Sequence, residues 1–192
     1  MAIANLAEHL EAEACPHLAV FLRSPDELPE LLVSFYGLGV RRGGWLAHRA
    51  LPAHAEHERH VLTDAGLDVP ALEASHQMVV VELDFDLPAE GSTDRWAQAL
   101  DEALARGFTG LWYARFPVNP GDSDYEAVLG YEREWHRAFR GRPVVTICPF
   151  ITGGLDETDT DAALAEVSQS HTGVLAPEGH GHYSRLRPRR AQ

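Results

Sequence analysis

No lysine occurs anywhere in this chain; all 16 basic residues are arginine. That excludes a Schiff-base lysine, a lysine general base and the lysine that reaches the terminal phosphates in a phosphate-binding loop. Cysteine is scarce as well. Cys15 and Cys148 stand far apart and form no CxxC pair, so neither a disulfide framework nor a cysteine-rich zinc motif is indicated. No apolar run approaches the roughly 18–20 residues that span a bilayer. The opening MAIANLAEHLEAEA carries Glu8, Glu11 and Glu13 where a secretory leader would carry a basic segment followed by an apolar one. A cytoplasmic location with no membrane partner is expected.

What is present is an ordinary globular composition. A chain of 192 residues, 45% hydrophobic and 23% charged, is long enough for one domain with a full core. The formal net charge of -13 opposes the phosphate backbone, because nucleic-acid binders gain most of their affinity from cations that displace counterions. Direct nucleic-acid binding is therefore not expected.

Apolar spacing along the chain predicts alternating helices and strands. Leu6, Leu10 and Ala14 suggest a lead-in helix stopped by Pro16, so residues 1–16 are read as a lead-in segment. HLAVFLR, from His17 to Arg23, reads as a first strand. Ser24 and Pro25 then open a helix to about Arg41, with Ser24 as its N-cap. Further strands are expected at Trp45 to His48, Gln77 to Leu83, Thr109 to Arg115, Arg142 to Cys148 and Thr172 to Ala176. The helices between them begin near Pro52, Val69, Ser92, Asp122 or Ser123, and Asp159. This alternation predicts a three-layer α/β fold, a mostly parallel sheet with helices on both faces. Residues 17–176 would form the domain, and 177–192 a flexible basic tail.

In such sheets ligands bind outside the carboxyl ends of the strands. The candidates by position are Arg23 and Ser24, His48 and Arg49, Asp84 and Asp86, Arg115, and Cys148 with Phe150. After the first strand the sequence reads LRSPDELPELL. It has no glycines to let backbone N–H groups converge and no lysine, and Asp26, Glu27 and Glu30 would repel a polyphosphate. Nucleotide hydrolysis at that position is not expected.

The long block beginning HLAVFLRSPDELPELL, then ALARGFTGLWYARF, YEREWHRAFRGRPVVTICPF and HTGVLAPEG, follow one another in an order that resembles the MEDS domain, the methanogen/methylotroph DcmR sensory domain. The chain also resembles a RecA/KaiC-like core whose phosphate loop has been replaced. The similarity covers about residues 17–183. The family's first strand carries a histidine, then a cysteine two residues on, then an apolar residue and an aromatic one. Here His17 stands at the histidine position and Ala19 at that of the cysteine. A late family strand often places Cys and Tyr around an apolar residue, and this chain has Cys148, Pro149 and Phe150 there. The resemblance implies a non-catalytic sensor of a small organic, hydrocarbon-derived ligand, with no cofactor and with His17 at the ligand site. No output domain is legible, so the signal is expected to pass to a separate regulatory protein, a kinase, anti-sigma or transcription factor. A homodimer is a further expectation.

Other histidines invite a metal reading. His54, His57 and His60 are spaced by three and drift about 60° per step around a helix, so they suit one ion less well than a spacing of four. With Glu56, Glu58 and Arg59 between them they read as a solvated face, and the metal site as the weaker alternative. The expected ligand site is an apolar pocket bordered by His17, Arg23, His48, Arg115, Cys148 and Phe150. The competing reading is a protein-interaction module of a kinase or anti-sigma system with no small ligand.

Overall fold

The computed structural model describes residues 5–11, 16–82, 92–179 and 182–186. Cys15, Asp84, Asp86 and His180 lie outside them. The strands are β1 (His17–Leu22), β2 (Trp45–Ala50), β3 (Met78–Glu82), β4 (Leu111–Arg115), β5 (Val144–Ile151), β6 (Gly173–Gly179) and β7 (His182–Leu186). They form one sheet in the order β3-β2-β4-β5-β1-β6-β7. Every described pairing is parallel except β6 with β7.

The helices divide between the two faces because each strand alternates its side chains across the sheet. Leu18, Val20 and Leu22 of β1 face one way. They join the core made by α1 (Leu6–Glu11), α2 (Leu28–Arg41), α3 (Ala55–Asp64) and α4 (Val69–Ala74). Ala19 and Phe21 face the other way, towards α6 (Tyr125–Ala138) and α7 (Glu157–Val167), and α5 (Ser92–Ala105) shares that side through Trp96 and Leu100. The three-layer α/β expectation therefore holds.

Local differences have local causes. The helix expected from Pro25 begins as a single 3-10 turn, Pro25–Glu27, and becomes α-helical at Leu28. Ser24 makes no side-chain cap; the Glu27 carboxylate reaches back instead to the Arg23 backbone N–H at 2.8 Å. β5 runs three residues beyond Cys148, because Pro149 pairs opposite Val20 and needs no N–H to donate there. Past Pro177, where the sequence reading begins a tail, β6 continues to Gly179 and β7 then pairs with it. β7 is held from the far end of the chain, where the Asn5 amide donates to the Tyr183 carbonyl at 2.7 Å and accepts from its N–H at 2.9 Å.

The exit of β1 is closed by the exit of β5. Thr152 N–H donates to the Leu22 carbonyl at 2.8 Å, and a Cβ on Gly153 would fall 1.6 Å from the Arg23 carbonyl oxygen. Only glycine lets the two backbones meet this closely.

Candidate functional site

A buried polar layer runs between the sheet and α6. Glu132 is 1% exposed and belongs to the helix face that also carries Tyr125, Val128, Leu129 and Trp135. Its Oε2 accepts from His17 Nε2 at 2.9 Å and from Cys148 Sγ at 3.2 Å, while Oε1 accepts from Arg115 Nε. Arg115 also donates to the carbonyls of Phe116 at 2.8 Å and Pro149 at 3.2 Å, and lies over the Phe150 ring. His171, in the segment between α7 and β6, tilts against His17 with ring centroids 4.1 Å apart. Its Nδ1 donates to the Val167 carbonyl at 2.7 Å, and its Nε2 stands 3.8 Å from Glu132 Oε2.

The electrostatics follow from burial and from this one carboxylate. Burial pushes Glu132 up, but Arg115 and His17 outweigh it and hold the carboxyl far below the usual range. Burial pushes the Cys148 thiol well up, and Glu132 pushes it further. His171 is driven well down, first by burial and then by His17, so its imidazole is held neutral.

The layer meets solvent at the amino-terminal edge of the sheet. A cavity of about 540 Å³ is lined there by His17, Trp135, His136, Phe139, Thr146 and His171, among others. His136 stacks on His17 at 5.7 Å between centroids. A second cavity of about 430 Å³, between the start of α6 and α7, is rimmed by Asp122, Glu126, Asp159 and Glu166 and does not touch the polar layer. The chemistry therefore points to the first.

The six residues expected to border one pocket do not all meet. His17, Arg115, Cys148 and Phe150 come together around Glu132 and His171. His17 opens β1 instead of closing it, so the expectation of a site at the strand carboxyl ends does not describe this cluster. Arg23 is exposed beyond β1 and paired with Glu27. His48 lies on the opposite face of the sheet, between the Tyr36 hydroxyl and Glu58. His54, His57 and His60 are exposed.

Ala19 pairs directly opposite Cys148 and belongs to the same buried cluster, so the two signature positions on β1 and β5 are neighbours. The match to known families runs over residues 16–172 and is to MEDS, the MEthanogen/methylotroph, DcmR Sensory domain. The chain belongs to the MEDS family. A MEDS domain is a sensory domain, which sets the coarse role of this chain. No curated protein matches it. Among the described residues no helix is long and apolar enough to cross a membrane.

Sequence reasoning missed Glu132, His136 and His171. Glu132 was legible as the one carboxylate on the apolar stripe of α6, three residues from both Leu129 and Trp135. His171 gave no such signal, since it sits just outside β6 and reaches the cluster through the tertiary fold alone.

Proposed function

We propose that this MEDS domain is a non-catalytic sensor that admits a small hydrocarbon-derived molecule with one polar group into the cavity beside His17 and His171. The observation that carries the reading is the contact between that cavity and the buried His17–Glu132–Arg115 network. Trp135, Phe139 and Val144 offer apolar walls, and His17, His171 and Thr146 offer polar atoms at the floor. Its volume lies within the roughly 300–1,000 Å³ of small-molecule sites. A polar head group bound there competes for the hydrogen bonds that Glu132 now accepts, and α6 carries the change to the surface. The signal passes to a separate regulatory protein. The closed, acidic, lysine-free exit of β1 supports recognition without nucleotide turnover.

A thermal-shift series with small alcohols, halocarbons and organic acids tests the reading, since a ligand that binds only the native state stabilises it by mass action. At least one of these classes is expected to raise Tm, and His136→Trp, which fills the cavity wall, is expected to abolish the shift. No shift with any of them, together with a tight protein partner, would favour the interaction-module reading.

A further inference from the structure

The cluster beneath the cavity holds more than a hydrogen-bonded core network needs. His17, Glu132, Cys148 and His171 each offer one ligating atom, these atoms lie within 4.8 Å of one another, and all four residues are buried. The separations are 2.9 Å for His17 with Glu132, 3.2 Å for Cys148 with Glu132, 3.4 Å for Cys148 with His17 and 3.8 Å for His171 with Glu132. Bonds of about 2.0–2.1 Å to nitrogen and oxygen and about 2.3 Å to sulfur give a tetrahedral ion ligand-to-ligand edges of roughly 3.3–3.7 Å. These four of the six pairs stand near those separations, and all six lie within 4.8 Å.

A second observation points the same way. His171 Nε2 is buried and makes no hydrogen bond among the described residues, while its Nδ1 is tied to the Val167 carbonyl. Buried polar nitrogens are seldom left unpaired. A ring nitrogen fixed to a backbone carbonyl, with the other aimed at neighbouring donors, is the orientation that metal-bound histidines adopt. Glu132 is arranged alike, since Arg115 holds Oε1 and leaves Oε2 to the cluster. His17 and His171 line the cavity, which supplies an access route.

We propose that His17, Glu132, Cys148 and His171 form a site for a divalent transition metal of the zinc type. Two imidazoles and a thiolate favour such an ion over magnesium or calcium. The Cys148 S–H loses its proton to solvent, and the His17 proton moves from Nε2 to Nδ1. Four metal–ligand bonds, to two Nε2 atoms, Sγ and Oε2, replace the two hydrogen bonds on Oε2. With the Glu132 carboxylate, the thiolate and the Arg115 guanidinium, the cluster presents a net single negative charge to the cation. The proposal rests on the sensory reading and deepens it, because the ion would face the cavity and orient the polar group of the organic ligand.

The test uses the full chain, stripped with a chelator and titrated with cobalt(II), then with zinc(II). One equivalent of cobalt is expected to give the ligand-field bands of a tetrahedral ion and a thiolate-to-metal charge-transfer band, and zinc to erase both. Cys148→Ser should lose the charge-transfer band. Cys15→Ser and His57→Ala should keep it, and the Cys15 variant assigns the thiolate even if Cys148→Ser does not fold. Absence of the band in the unmodified chain, its loss in Cys15→Ser, or its survival in a folded Cys148→Ser would overturn the proposal. Organic ligands that still raise Tm in stripped protein with no cobalt spectrum would remove the metal site alone. A normal cobalt spectrum with no organic response would remove the sensory reading alone.

Discussion

Glu132 is the carboxylate that compensates buried cationic charge on the α6 side of the sheet. Arg49 and Arg115 are register partners on adjacent strands, both essentially inaccessible, and Arg49 lies over the rings of Phe116 and Tyr131 at 5.5 and 5.2 Å. Glu132→Gln leaves Arg115 without its counter-charge, and breaking a buried pair from one side costs about 3–5 kcal/mol. For a chain of this size that is a fall in Tm of about 10 °C, measurable by calorimetry. His171 adds a pH dependence in metal-free protein. Its neighbours are His17, Glu132, Arg115, Cys148 and the Val167 carbonyl, and burial with His17 holds it below its ordinary value of 6.5. The unfolded chain therefore takes up that proton first as the pH falls. The stabilisation is complete above about pH 6.5 and is lost on acidification towards the folded value. Tm should drop between about pH 7 and pH 5, and His171→Gln should flatten that slope. The Glu132 contribution persists through this window, since its carboxyl is held far below it. In a Cys15→Ser background, Cys148 should resist alkylation in native protein and react on unfolding, because its thiol is buried and held protonated.

Elements were legible where one period dominates. The continuous apolar run of β1 and the three- and four-residue spacing of α2 placed both, and the alternation of strands with helices placed the layers. β7 was not legible. HYSRL carries one buried residue, Tyr183, and its strand character comes from pairing with β6 and from the Asn5 side chain. The same contact makes the lead-in helix part of the fold, since Leu6 and Leu10 are 0% and 5% exposed. Removing residues 1–11 uncovers both leucines and should lower stability by about 3 kcal/mol or more, read as a shift in the urea midpoint. Gly153→Ala sets a methyl against the Arg23 backbone, which cannot rotate away as a side chain would. It should destabilise by at least about 1–3 kcal/mol in the same measurement.

At the scale of the molecule, the sequence led to the family through His17 and Cys148 and to the sheet through its periodicity, whereas the polar cluster around Glu132 opens at the other edge of the sheet from the strand carboxyl ends that position alone suggested. The rule that ligands gather at strand carboxyl ends carries the phosphate chemistry of helix N-termini. Here Thr152 and Gly153 close the exit of β1, the cavity of about 430 Å³ lies beyond β4 and β5 away from the polar layer, and the cavity beside His17 opens at the amino-terminal edge. The most direct test of the central claim is nitrogen-15 imidazole spectroscopy of the full chain, with and without a saturating small alcohol, halocarbon or organic acid that raises Tm. Ligand addition should shift the ring nitrogens of His17, His136 and His171 and leave those of His54, His57 and His60 in place. A ligand that stabilises the protein while leaving the first three unmoved would contradict the account.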